Sequence, residues 1–179
     1  MQVKVVPLKS VDQEELRILA AYIHEACLEE QKYAPEAKEL LKIGEADLVR
    51  SLEWSEAGWW VARQERGPEE SRPLGLVRIA AGGEGGRTAV LSGLYVTPEY
   101  RRRGIGRLLV ETALAEAKEE GLWQATVLVA ETNPAVDFYR ALGFNVRRQA
   151  AMIGYLFMTL SLKEWEPSPG RDKDVSSGL

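Results

Sequence analysis

The sequence predicts one α/β (α+β) domain with a mixed, mostly antiparallel central sheet and flanking helices. Three observations carry this expectation. Strand-length apolar runs and helically periodic segments follow one another in the order β, α, α, β, β, β, α, β, α, β, β. The three middle strand runs are joined by short Gly- and Pro-rich stretches, as in an antiparallel meander. A long amphipathic segment then separates the third of them from a further β-branched run, which favours a parallel crossover.

Residues 3–8 are a short apolar run and read as the first strand. Ser10 followed by Gln13 matches a capping box, and Leu16, Leu19, Ile23 and Cys27 recur at helical spacing, so 11–30 reads as a helix. Pro35 opens a second helix with Ala37, Leu40, Leu41, Leu48 and Leu52 inward and Gly44 as its weak point. The meander strands are 59–64, 74–81 and 88–96. Residues 104–120 form the long helix, with Ile105, Leu108, Leu109, Thr112, Ala113 and Ala117 on one stripe. Residues 122–130 are the β-branched strand. A short helix over 134–142 ends at Gly143, a natural left-handed cap. Residues 144–149 and 153–163 are the last strands. The domain spans 1–165. Residues 166–179, with Pro167, Pro169, Gly170 and a Ser176-Ser177-Gly178 run, read as a flexible C-terminal tail.

A length of 179 residues suits one domain with decoration. The 23 Lys and Arg against 27 Asp and Glu leave a net charge of −4, and 45% of residues are hydrophobic, so a globular chain is expected rather than a disordered or fibrous one. Cys27 alone excludes a disulfide framework, and His24 alone excludes a His-rich metal site; no metal is expected. A pI near 5.3 argues against nucleic acid as a partner. The N-terminus lacks a secretory apolar run, and the apolar stretch 152–162 is too short to span a bilayer, so the expected setting is cytoplasmic with no membrane partner.

The most informative segment runs from Leu94-Tyr95-Val96 through Pro98 and Arg101-Arg102-Arg103 to Gly104-Ile105-Gly106-Arg107. A strand ends, a basic turn follows, and two glycines open a helix. Glycine lets backbone N–H groups approach a ligand, and the first N–H groups of a helix lack internal partners and carry the positive end of its dipole. Together they make a phosphate cradle. A Walker loop does not fit, because Arg107-Leu108 stands where Lys-Ser/Thr is required, and a dinucleotide fingerprint lacks its third glycine at Leu109.

This segment resembles motif A of the GNAT N-acetyltransferase superfamily, Arg/Gln-x-x-Gly-x-Gly/Ala, through Arg101, Gly104 and Gly106. Downstream, Asn133-Pro134-Ala135-Val136-Asp137-Phe138-Tyr139-Arg140-Ala141-Leu142-Gly143-Phe144 resembles motif B. The resemblance covers roughly residues 1–163. It implies a GNAT-like fold in which two parallel strands, 88–96 and 122–130, splay to admit acetyl-coenzyme A as cosubstrate. It further implies that the Leu94, Tyr95 and Val96 strand end holds the pantetheine and thioester carbonyl. Arg101, Arg102, Arg103, Gly104, Ile105, Gly106 and Arg107 would surround the pyrophosphate. Asn133 would contact the pantetheine, and Tyr139 would sit near the sulfur as the catalytic acid.

The chemistry is consistent with those residue types. A strand N–H left unpaired by splaying can stabilise the oxyanion formed when an amine attacks the thioester. A tyrosine, with an ordinary pKa of about 10, can protonate the departing sulfur. Two departures stand out. Asn133 is six residues before Tyr139, where the family usually has seven, so Thr132 competes for the pantetheine contact. Neither 88–96 nor 122–130 contains the glutamate that many members use as base, and Glu131 stands just past the second strand; the base is left unassigned.

The resemblance places acceptor recognition on the first two helices and the final strands. They offer Tyr22, His24, Glu25, Glu29, Glu30, Tyr33, Trp54, Trp59 and Trp60. His24 reads as a surface or packing residue and the Glu-rich helix end as a solvated face. Cys27, on the apolar stripe, reads as buried and inert. Adjacent Trp59 and Trp60 face opposite sides of a strand, with at least one in the core. The leading expectation is an acetyl-coenzyme A-dependent N-acetyltransferase acting on a small-molecule or peptide amine, with a homodimer admitted. The alternative is a non-catalytic coenzyme A or acyl-coenzyme A sensor.

Overall fold

The computed structural model describes residues 1–9, 12–35, 46, 49–50, 58–64, 72–147 and 154–168. They form β1 (Val3–Pro7), α1 (Gln13–Gln31), β2 (Gly58–Gln64), β3 (Pro73–Gly82), β4 (Thr88–Val96), α2 (Ile105–Glu119), β5 (Gln124–Ala130), α3 (Ala135–Ala141), β6 (Asn145–Arg147) and β7 (Tyr155–Ser161). The expected helix over 35–52 lies almost wholly outside the described residues. So do Trp54 and Ser10.

The strands make one seven-stranded sheet in the order β1-β2-β3-β4-β5-β7-β6. β4 and β5 pair parallel, and every other described pair is antiparallel. The mixed sheet with its meander is therefore as the sequence predicts. α1 packs on one face and α2 on the other, which divides the core into two layers. Trp59 and Val61 face α1, while Trp60 and Ala62 face α2. Both tryptophans are buried, one on each side.

Local chemistry sets the helix ends. Asp12 caps α1, its Oδ1 accepting the Glu15 N–H at 2.8 Å, and Glu14 and Glu15 complement the positive end of the dipole. The cap therefore falls two residues beyond the expected Ser10. On α2, Ile105, Leu109, Val110, Ala113, Leu114 and Ala117 are buried, and this stripe covers the sheet.

The chain beyond β7 is held more firmly than a free tail. Trp165 is buried in the α2-side core. Lys118 of α2 donates to the Trp165 carbonyl at 2.6 Å and pairs with Glu166 at 2.9 Å. Ser168 donates to Glu111 at 2.8 Å. Residues 166 and 168, expected in the flexible tail, thus lie along α2; residues 169–179 are outside the described set.

Candidate functional site

The parallel pairing of β4 and β5 runs from Thr88 opposite Gln124 to Leu91 opposite Val127 and stops there. Beyond it each strand keeps only its outer partner. Ser92, Tyr95 and Val96 remain opposite Arg78, Leu76 and Gly75 of β3, and Leu128, Val129 and Ala130 remain opposite Phe157, Leu156 and Tyr155 of β7. The sheet is split between residues 92–96 and 128–130.

A β-bulge marks the start of the split. Between Leu76 and Arg78 the register of β3 against β4 shifts, so that β4 carries one extra residue there. Gly93 takes φ +60°, a left-handed value suited to glycine. The extra residue also reverses the side-chain alternation. Ala89 and Leu91 face α2, whereas Tyr95 faces α1, its ring 5.2 Å from that of Tyr22. Gly75 permits the close pairing beyond the bulge, since a Cβ there would stand 2.4 Å from the Tyr95 carbonyl oxygen.

The peptide planes show which groups enter the split. Thr97 donates its N–H to the Leu74 carbonyl on β3 at 2.9 Å. The carbonyl of the same planar peptide belongs to Val96 and points the opposite way, into the split. Across the gap, Glu131 donates its N–H to the Gly154 carbonyl at 2.9 Å, so the polar groups of Ala130 face inward. Tyr95, one residue before Val96, turns its backbone toward β3 and is the member of the expected strand-end trio that does not face the split. Leu94 sits at the bulge and packs against the α2-side core.

The basic turn lies at the end of β4. A short 3-10 turn, Pro98–Tyr100, leads into Arg101 and then Arg102, which adopts φ +62°. Gly104 caps α2 with φ +82° and contributes no side-chain hydrogen bond. The first helical bond of α2 is from Leu108 N–H to the Gly104 carbonyl at 3.0 Å. The N–H groups of Ile105, Gly106 and Arg107 precede it and have no helical acceptor. N–H groups of this kind at the positive end of a helix are able to accept an anion.

The arginines divide into two pairs. Arg102 and Arg103 are exposed, with Arg103 over the Tyr100 ring at 5.3 Å. Arg101 turns back: its Nε donates to the Val96 carbonyl at 2.8 Å, and its Nη2 pairs with Glu29 at 2.7 Å. Arg107 reaches Glu111, the Ala141 carbonyl and Ser168 at 3.2 to 3.3 Å. Both turn-facing helix ends are thereby tied to neighbouring elements.

The downstream motif opens α3. Asn133 accepts the Ala135 N–H on Oδ1 at 2.8 Å, an Asx turn that starts the helix. Its Nδ2 donates to Glu30 Oε2 at 2.7 Å. Thr132 is exposed and its hydroxyl donates to the Tyr33 carbonyl at 3.4 Å. Tyr139 is 6% exposed and lies edge-on to Phe138 and Phe144. Burial pushes its phenol far above the usual tyrosine range, and the charge of Glu30 adds to the rise.

Glu30 was named among the acceptor-side residues, but its contact with the split was not foreseen. It was expected in a solvated helix end, yet Oε1 accepts the inward-facing Ala130 N–H at 2.9 Å. Its partners are far away in sequence, so no spacing pattern could signal the contact. Glu29 is engaged by Arg101. Cys27 is half-buried rather than fully buried, and burial raises its thiol, with Glu30 adding to the rise. His24, read as a surface or packing residue, is exposed, and so is Glu131. Among the described residues, no three His, Cys, Asp or Glu side chains are placed to hold a metal ion. Among them too, no helix is long and apolar enough to cross a membrane.

Comparison with known proteins agrees with this arrangement. The model of the acetyltransferase (GNAT) family matches residues 22–144. The chain is 38% identical over 101 residues to the peptidyl-lysine N-acetyltransferase YjaB of Escherichia coli, covering 56% of this chain and 57% of that protein. The chain thus spans little more than half the length of that curated relative. Among solved structures, the PaiA N-acetyltransferase of Thermoplasma acidophilum in complex with coenzyme A superposes with a TM-score of 0.66 at 20% identity, covering 90% of this chain and 99% of that one. The putative acetyltransferase yncA of Salmonella typhimurium, solved with acetyl-coenzyme A, gives 0.68 at 17% identity, covering 96% and 100%. These two likenesses are of fold.

Proposed function

Because the chain belongs to the acetyltransferase (GNAT) family, we propose that it is an acetyl-coenzyme A-dependent N-acetyltransferase. It moves an acetyl group from the thioester to a primary amine by direct attack in a ternary complex. The observation that carries this reading is the split between β4 and β5, bounded at one end by the unpaired N–H groups of Ile105, Gly106 and Arg107. A sheet split next to free helix N–H groups suits a thioester on a long arm that terminates in a pyrophosphate.

The residues of this chain fit that cosubstrate. The three helix amides hold the pyrophosphate, with Arg102 and Arg103 supplying charge at the exposed side. The Val96 carbonyl is occupied by Arg101, so the β4 wall offers the Leu94 backbone and the Val96 N–H to the pantetheine and the thioester oxygen. Asn133 is the better pantetheine contact than Thr132. Its Oδ1 is committed to α3, but one N–H of its amide remains after the bond to Glu30. Tyr139 comes from the α2-side core and is protonated at neutral pH, so it can give a proton but not take one. The desolvation that raises the phenol also makes a departing sulfur a stronger proton acceptor in the same place.

The acceptor is a primary aliphatic amine on a small molecule or peptide, and the enzyme works in the cytoplasm. Calorimetric titration with coenzyme A and thiol release from acetyl-coenzyme A with spermidine, lysine and a lysine-bearing peptide test the reading. Binding together with amine-dependent thiol release is expected, and Tyr139→Phe should lower kcat by about 100-fold with the coenzyme A Kd little changed. Binding without thiol release from any amine would instead favour the sensor alternative.

A further inference from the structure

We infer that Glu30 is the proton acceptor of the acyl transfer, so that the carboxylate absent from both splayed strands is supplied by α1. The inference rests on the acetyltransferase reading above and adds to it the residue that deprotonates the amine.

Placement is the first argument. An amine attacking a thioester inside the split must give its proton to a group that reaches the split. Strands β4 and β5 contain no Asp or Glu. Glu131 is exposed beyond the end of β5, and His24 is exposed on α1. Glu29 is committed to Arg101 at 2.7 Å. Glu30, by contrast, bonds directly to a backbone group that faces the split, the Ala130 N–H at 2.9 Å.

Its orientation is the second argument. Oε1 is held by Ala130 and Oε2 by Asn133 at 2.7 Å, so both oxygens are fixed. Each carboxylate oxygen has a second lone-pair direction left for a proton or an ammonium group. A fixed carboxylate loses little freedom when it receives the amine.

The third argument is the relation to Tyr139. Glu30 approaches from the α1 side of the sheet, where Ala130 also lies. Tyr139 belongs to the opposite, α2-side core. A thioester held between them has a carboxylate on one side and a phenol on the other, which are the two sides an attacking amine and a leaving sulfur must take. The Glu30 charge reaches Tyr139, where it adds to the rise of the phenol. Cys27 on the same helix also feels the Glu30 charge, while the neighbouring Glu29 is paired with Arg101.

The proton balance closes. The ammonium gives one proton to Glu30, and the neutral nitrogen attacks the thioester carbon. The C–N bond forms and the C–S bond breaks. Tyr139 protonates the sulfur and recovers a proton from the nitrogen, which has one more to lose. The products are an amide and a free thiol, and one net proton leaves from Glu30 to solvent.

Glu30→Gln tests the inference, because glutamine can still accept the Ala130 N–H but takes no proton. Acetyl-coenzyme A and spermidine or a lysine-bearing peptide are the substrates, with wild type assayed alongside. At pH 7 kcat should fall by about 100-fold or more, with coenzyme A Kd within about threefold. The deficit should shrink as the pH rises toward 10, where the amine is already neutral, a response that a merely structural role would not produce. If Glu30→Gln does not fold, Glu30→Ala with added formate provides the second test, and dose-dependent recovery of kcat is expected. A deficit under threefold at pH 7, a larger deficit that is independent of pH, or no formate rescue would overturn the role. Wild-type protein that binds coenzyme A but acetylates no amine would overturn the acetyltransferase reading itself.

Discussion

The carboxylate of Glu30 accepts the backbone N–H of Ala130 at 2.9 Å, joining residues 100 positions apart in the chain. Through its second oxygen the same carboxylate holds Asn133. The C-terminal end of α1 is thereby fastened to the splayed end of β5 and to the start of α3. On the other side of the split, Glu29 holds Arg101, which caps the Val96 carbonyl of β4. Two consecutive residues of one helix therefore reach both walls of the opening.

This arrangement separates the roles of Asn133 and Thr132. Asn133→Ala removes the Asx turn of α3, a partner of Glu30 and the proposed pantetheine donor. It should weaken coenzyme A binding about tenfold, the worth of one good hydrogen bond. Thr132→Val removes only a long exposed bond to the Tyr33 carbonyl and should leave Kd within about twofold. Calorimetric titration of both variants with coenzyme A checks the contrast, and equal effects would mean that the pantetheine does not distinguish the two positions.

The two motif glycines serve different ends. Gly104 sits at φ +82°, so Gly104→Ala should cost about 1 to 2 kcal/mol of stability. At Gly106 a Cβ would meet Val96 at 3.7 Å and Phe138 at 3.8 Å, which is ordinary contact. The chain itself therefore tolerates alanine at 106, and stability should change by less than about 0.5 kcal/mol, with any gain in helix propensity favourable. A methyl there nonetheless stands beside the amides proposed to hold the pyrophosphate. Gly106→Ala should keep its Tm and lose coenzyme A affinity, and a thermal melt beside a Kd measurement reads both.

Much of the fold was legible because its signals are local. The alternation in β2 placed Trp59 and Trp60 on opposite faces, and both are buried. The stripe of α2 and the glycine at its start marked the helix and its position. The bulge had a signal too, an isolated glycine at 93 inside a strand pattern, but its consequence, the switch of Tyr95 to the α1 face, depends on pairing with β3 that sequence cannot specify. Glu30 shows the limit most clearly. Its meaning comes from partners at 130 and 133, and a glutamate near a helix end otherwise reads as solvated surface. Glu166 and Ser168 show the converse: proline, glycine and serine around them look like a tail, while the groups that bond them, the Lys118 donor and the Glu111 acceptor, lie on α2.

Trp165 should matter to stability although it follows the last strand. It is 8% exposed and belongs to the α2-side core. Trp165→Ala removes a large buried side chain and loosens the hold of Lys118 on the segment that follows. A loss of about 3 kcal/mol is expected, read as a lower urea midpoint with an unchanged slope. A cost below about 1 kcal/mol would mean that the tryptophan packs on the surface of a core complete without it.

Alkaline titration gives a test that needs no substrate. Burial raises the phenols of Tyr22, Tyr95 and Tyr139, with Tyr139 raised furthest. In the unfolded chain these groups lose their protons near the ordinary tyrosine value of about 10. Above that pH the unfolded state binds fewer protons than the folded state, so stability falls as pH rises. The contribution of each raised phenol is fully present below about pH 10 and is lost as pH climbs toward its folded value. Tyr139→Phe removes the most strongly raised of the three. Above pH 10 its stability should decline less steeply than that of wild type, by up to about 1.4 kcal/mol per pH unit, the worth of one proton. Urea midpoints between pH 9 and 11.5 measure the difference. Parallel curves for the two proteins would show that the Tyr139 hydroxyl titrates as freely as an exposed phenol and that burial does not raise it.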